Sequence, residues 1–253
     1  MTASTHAISQ YQDKSDRLAA RLAIHKYSSN SQGWFEWLAT HLNVANKDVL
    51  EIGAGTGLLW QYVNHETARL TLTDFSSAMV EQLRNVNGAR VQQCDATDLP
   101  FADGSFDLVI ANHMLYHVDS PDAALAQFAR VLRPGGQLVV CLNGRDHLEE
   151  LLVLGEAVGR TSKILHNASI TAETAPGFIK RHFVNVEALN SPGDFEVPNP
   201  GPVLEYLNSW AEEHISLDQE TKAREIINER IQGEGVFRIK KSMILFTAER
   251  EQY

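Results

Sequence analysis

The sequence predicts an α/β fold: a doubly wound, mostly parallel sheet of seven strands, with N-terminal helices and a helical insertion before the last strand. Three observations carry this reading. From residue 48 to 142, short runs rich in Val, Ile and Leu alternate with amphipathic stretches. The first of these runs ends in a glycine-rich turn, Gly53-Ala54-Gly55-Thr56-Gly57. The chain has 253 residues and is 43% hydrophobic, which suffices for the sizeable core that such a sheet requires.

In chain order, residues 15–25 and 31–41 read as helices, the second carrying Trp34, Phe35, Trp37 and Leu38. Residues 48–52, 70–73, 90–94, 106–111 and 137–142 are strand-sized and apolar. Between them, residues 76–86 place Ala78, Met79, Leu83 and Val86 at helical spacing, and residues 122–132 do the same with Leu125, Phe128, Val131 and Leu132. Parallel strands need such crossovers. Ser76 and Ser120 stand at cap positions, with Pro121 in a first helical turn, and Arg133-Pro134-Gly135-Gly136 turns the chain into the next strand. Residues 183–189 and 243–248 supply two further strands. The stretch 191–235 opens as a Pro/Gly-rich loop and continues as helices bearing Leu204, Tyr206, Leu207 and Trp210, then Ile226, Ile227 and Ile231. A segment this short struggles to bury a core of its own. One domain over 1–253 is therefore expected, with an N-terminal helical lid (1–46), a ligand-binding core (47–142) and a helical insertion (199–235).

The charge balance of 22 Lys and Arg against 32 Asp and Glu, a net −10, works against a phosphate-tracking surface, so nucleic acid is not an expected partner. The only cysteines, Cys94 and Cys141, sit inside strand-like runs and imply no disulfide framework. No run approaches 18 consecutive apolar residues, and the first residues lack an apolar core of signal-peptide type. The expectation is a cytoplasmic protein with no membrane partner, as a monomer or homodimer.

Glu51-Ile52-Gly53-Ala54-Gly55-Thr56-Gly57 is the most informative segment. Glycines where a strand turns toward a helix let backbone approach a ligand closely. The spacing is G-x-G-x-G; Leu58 occupies the third glycine position of a dinucleotide fingerprint, so that reading fails. Two acids follow at strand ends. Asp74, 21 residues after Gly53, can accept both hydrogen bonds of a ribose diol, and Asp95 closes the next run. Either acid alone could be a helix cap or a solvated charge; their joint placement after a glycine loop favours a nucleoside crevice.

These motifs resemble the class I S-adenosylmethionine-dependent methyltransferases. The matching features are E-x-G-x-G-x-G, Asp74 with Phe75-Ser76-Ser77-Ala78-Met79, the Asp95-Ala96 pair, Leu99-Pro100-Phe101 before Phe106-Asp107-Leu108-Val109, and Leu132-Arg133-Pro134-Gly135-Gly136. The resemblance implies a Rossmann-like methyltransferase fold whose last strand is antiparallel, and S-adenosylmethionine as cofactor. Its methionine part would lie by Glu51, Gly53, Ala54, Gly55 and Gly57, the ribose on Asp74, and the adenine near Phe75, Met79, Asp95 and Ala96. Asn112 to His117 would pass the methionine part and face the acceptor. A looser likeness of the N-terminal segment implies a cofactor contact at Tyr27, which can equally be an interface aromatic.

Methyl transfer from a sulfonium needs mainly an acceptor held in line, and a base only where the acceptor must lose a proton. His117 and His113 are the candidate bases, with His117 preferred and His147 weaker; each could instead bond backbone or fill space. Their H-x-x-x-H spacing lacks further ligands, so no metal is expected. Trp34, Tyr116, His147, Tyr206 and Trp210 are the candidate acceptor contacts, suited to a small, partly apolar or aromatic metabolite methylated on oxygen or nitrogen. A tRNA or protein methyltransferase and a non-catalytic cofactor-binding module remain as alternatives.

Overall fold

The computed structural model describes residues 20–21, 23–160, 168–210 and 213–252, so most of the helix expected over 15–25 lies outside the described residues. One seven-stranded sheet organises the chain, in the order β3-β2-β1-β4-β5-β9-β6. Its strands are β1 (Asp48–Ile52), β2 (Arg69–Asp74), β3 (Arg90–Gln93), β4 (Phe106–Asn112), β5 (Leu132–Asn143), β6 (Val184–Asn190) and β9 (Met243–Glu249). The pairs β1–β2, β1–β4, β2–β3 and β4–β5 are parallel, while β9 runs antiparallel between β5 and β6. Strand order reverses at β1 and β4, so the carboxyl ends of these strands flank a crevice where ligands of such sheets bind.

Alternation along the strands divides the core. Leu50 and Ile52 of β1 and Val109 and Ala111 of β4 face one side, packed with Leu125, Phe128 and Val131 of α3 (Pro121–Val131). Val49, Leu108, Ile110 and Cys141 face the other, against Trp34, Trp37 and Leu38 of α1 (Trp34–Ala39). The helix expected over 31–41 is thus shorter, because Gly33 stands at its N-cap. The helix α2 (Ser77–Leu83) follows β2.

Ser120 caps α3 by accepting from the Ala123 N–H at 3.4 Å, but Ser76 makes no such bond at α2. Asp74 instead accepts the N–H of Ser76 itself at 2.8 Å, which fixes the turn from β2 into α2. The Arg133-Pro134-Gly135-Gly136 segment is a register break inside β5, between Leu132 opposite Phe106 and Gln137 opposite Leu108. Arg133 there reaches Asp48 at 2.8 Å and Asp107 at 2.7 Å, tying together the amino ends of β1 and β4.

After β5 come two helices that periodicity did not predict, α4 (Glu149–Ala157) and α5 (Ala175–Ile179). The insertion contains α6 (Pro200–Asn208) and α7 (Leu217–Glu234), and a two-stranded antiparallel sheet of β7 (Phe195–Val197) and β8 (Phe237–Ile239) flanks it on either side. The segment expected to be purely a loop thus supplies β7. A third core cluster fills the insertion, and it borrows Ile24, Leu148, Leu151 and Leu154 from outside it.

Candidate active site

The three glycines after β1 all adopt left-handed backbone, with φ of +66° at Gly53, +59° at Gly55 and +73° at Gly57. At Gly53 sterics add to this, since a Cβ would lie 2.6 Å from the Met114 Cβ. The chain leaves the loop through a 3₁₀ turn, Leu58–Gln61, rather than a regular α-helix. The Gly55 N–H donates to Asp74 Oδ2 at 3.0 Å, so the glycine loop and the end of β2 are locked together. Burial pushes the Asp74 carboxyl up, while the backbone bonds from Ser76 and Gly55 pull against it.

Glu51 is 2% exposed, and its Oε2 accepts from Trp60 Nε1 at 2.6 Å. Burial pushes its carboxyl up to about 8, against the Trp60 bond, and the nearby Asp74 adds to the rise. Asp95 lies just beyond β3, which ends at Gln93, and its Oδ1 accepts from the Thr97 N–H at 2.8 Å and the Thr97 hydroxyl at 2.7 Å.

A single cavity of about 340 Å³ joins these groups. Glu51, Gly53, Ala54, Gly55, Asp74, Phe75, Met79, Asp95, Ala96 and Asn112 line it, as do His113, Tyr116, His117 and Trp34. The sequence had pointed to all of these. His113 follows β4 with a left-handed backbone, φ +52°, and its ring sits 4.9 Å from that of Trp34. Burial drives the His113 imidazole down to about 3, helped by His25 and His117 nearby. His113 Nε2, Asn112 Oδ1 and Trp34 Nε1 are buried without hydrogen-bond partners among the described residues. Such orphaned groups are what a bound ligand or water satisfies.

Five expected residues are placed elsewhere. Gly57 packs toward Val86 and Leu83 and serves the turn. Tyr206 of α6 is buried in the third core cluster, and Tyr27 and Trp210 pack half-buried against it. The Trp210 ring fills the space above Gly155. His147 is 9% exposed and stands behind the cavity wall. Conversely His25, Phe35 and Met243 line the cavity without having been singled out. His25 lies two residues from Tyr27, in the very segment that drew attention, but a 3₁₀ turn (Ile24–Tyr27) directs His25 inward instead.

The donor set suits an adenosine with a charged amino-acid tail. Glycine backbone admits the tail closely, the Asp74 carboxylate retains lone pairs for a diol, and Asn112 offers an unused acceptor. Among the described residues, no three His, Cys, Asp or Glu side chains are grouped to hold a metal ion. No helix among them is long and apolar enough to cross a membrane.

A methyltransferase-domain family model matches residues 50–140, the stretch from the glycine loop to β5. The chain is 34% identical to a phosphatidylethanolamine N-methyltransferase of Cereibacter sphaeroides over 51% of this chain and 67% of that protein. It is 39% identical to a demethylmenaquinone methyltransferase of Clavibacter sepedonicus over 39% of this chain, although the match spans only 42% of that relative's length. The structure of Haemonchus contortus phosphoethanolamine N-methyltransferase 2 in complex with S-adenosyl-L-methionine superposes with a TM-score of 0.61. At 16% identity it covers 100% of this chain and 60% of that one. Sheet order, glycine loop and sequence kinship agree: the chain belongs to the class I S-adenosylmethionine-dependent methyltransferases.

Proposed function

We propose that the chain, working as one domain, methylates an oxygen or nitrogen of a small, partly apolar or aromatic metabolite. The observation that carries this is the lining of one cavity, in which Asp74 and the glycine loop meet an aromatic and histidine wall of Trp34, Phe35, Tyr116 and His113. When bound, S-adenosylmethionine supplies a methyl group on a sulfonium, already an excellent leaving group.

The chain's own residues then have three tasks. Gly53, Ala54 and Gly55 present backbone to the cofactor's amino-acid part, and Asp74 holds the ribose. Phe75, Met79, Asp95 and Ala96 surround the base. Trp34 and Tyr116 orient the acceptor and exclude water, which lets positioning supply most of the rate. His117 and His113 are the groups within the wall that can bond an acceptor proton; burial keeps His113 neutral, with its Nε2 available. The aromatic enclosure supports a metabolite over tRNA or protein, in keeping with the acidic net charge of −10.

Methyl-labelled cofactor incubated with an extract separated into metabolite, RNA and protein fractions tests the proposal. Label entering the metabolite fraction is expected. Label confined to RNA or protein, or no transfer to any fraction by a protein that binds the cofactor, would refute it.

A further inference from the structure

Charge is distributed unevenly around the cavity. Its three lining acids, Glu51, Asp74 and Asp95, all lie on the side of β1, β2 and β3. The opposite wall, with His25, Trp34, Phe35, His113, Tyr116 and His117, carries no carboxylate among the described residues.

A buried cation stands behind that wall. His25 packs edge-on against Phe195 with ring centres 5.1 Å apart, and the Lys241 ammonium lies 6.0 Å from the centre of the same ring. Lys241 is only 5% exposed. No described carboxylate is within ion-pairing distance of it: Asp194 accepts the Lys241 backbone N–H at 3.1 Å, and Asp146 pairs with Lys240 instead. His147, also behind the wall, leaves Nδ1 buried and unpartnered. Burial holds His25 down to about 4 and His147 to about 3, so neither adds charge at neutral pH. Burial holds the Lys241 pKa below its ordinary value, and the Asp194 charge pulls the other way, favouring the ammonium.

An unpaired ammonium in a low-dielectric wall favours anions and repels cations. A protonated amine entering here would meet Lys241's field with no carboxylate to receive it. An oxyanion would be attracted, and the Trp34 indole N–H is a donor still without a partner.

We propose that the acceptor is an acidic hydroxyl compound, a phenol or enol, held and methylated at oxygen as its anion, and that the Lys241 charge favours that anion. This rests on the methyltransferase reading above and narrows it. The oxyanion's lone pair forms the new O–C bond while the C–S bond breaks and its electron pair stays on sulfur. A neutral hydroxyl gives its proton to solvent on binding, so the transfer itself moves no proton.

The test is a titration of the S-adenosylhomocysteine-saturated protein with 4-nitrophenol, whose phenolate is read by absorbance. The phenolate is expected to bind in preference, its pKa falling by roughly one unit relative to the free compound. Lys241→Gln should abolish this shift, Lys241→Arg should retain it, and benzylamine should not compete. Absence of nitrophenol binding, an unshifted pKa, an equal shift in Lys241→Gln or competition by benzylamine would each overturn the proposal. If Lys241→Gln does not fold, the wild-type shift and the benzylamine competition decide. Failure of S-adenosylhomocysteine itself to bind would instead remove the methyltransferase reading.

Discussion

Gly53 meets two constraints at once, a left-handed φ of +66° and a Met114 side chain that leaves no room for a Cβ. Gly53→Ala should therefore destabilise the protein by about 1–3 kcal/mol and weaken S-adenosylhomocysteine binding. A denaturant titration with unchanged midpoint would show that the loop tolerates a side chain. Glu51 makes a second prediction at this scale. Its folded pKa, about 8, lies above the ordinary 4.5, so the folded state keeps a proton that the unfolded chain releases between these values. Its contribution to stability is full below pH 4.5 and is lost as pH rises toward 8. Glu51→Gln keeps an acceptor for Trp60 and should flatten that decline; a mutant with the same pH slope as wild type would contradict the assignment. The glycines, Asp74 and Asp95 were legible because their chemistry is tied to spacing along the chain. His25 was not, because a single histidine carries no period, and only the packing of its 3₁₀ turn against Phe195 directs it into the cavity.

Among the elements, four of the five parallel strands were legible to within about a residue, with apolar runs such as 108–111, whereas β5 begins at Leu132, five residues before the expected start, because Arg133-Pro134-Gly135-Gly136 breaks its apolar run. Two kinds of element escaped. The 3₁₀ turn at Leu58–Gln61 carries the same apolar spacing as a helix start, and Gly57 at its cap does not decide between them. The strand β7 is three residues long within a segment rich in Pro and Gly, too short for alternation to register, and pairing with β8 some forty residues later creates it. That small sheet backs the cavity wall at His25. Phe195, 1% exposed, is its keystone by packing, and Phe195→Ala should cost about 3–5 kcal/mol. A loss below about 1 kcal/mol would mean that the sheet is not integral to the fold.

For the whole molecule, three neutral histidines, His147 buried and His25 and His113 partly buried around the cavity, set an acid limit. His25, His113 and His147 have folded pKa values of about 4, 3 and 3, below the ordinary 6.5. Their contribution is complete above pH 6.5 and is lost as pH falls toward 3, because the unfolded chain takes up protons that the folded chain refuses. Thermal melts should show a falling midpoint over that range, smaller in His147→Asn; an unchanged slope in that variant would exclude His147 as a source. Doubly wound order and a glycine loop could be read from sequence because they are local patterns repeated along the chain. The enclosing wall was legible only in part: Trp34, His113, Tyr116 and His117 were candidates from the sequence, while His25 and Phe35 were not, because they join the wall only where the N-terminal segment folds over the cavity. The central claim is that Asp74 and the glycine loop form a cofactor site, and calorimetric binding of S-adenosylhomocysteine tests it most directly. Saturable one-to-one binding to the wild type, weakened at least about tenfold by Asp74→Ala, is the predicted result. No binding to the wild type, or equal affinity in Asp74→Ala, would contradict it.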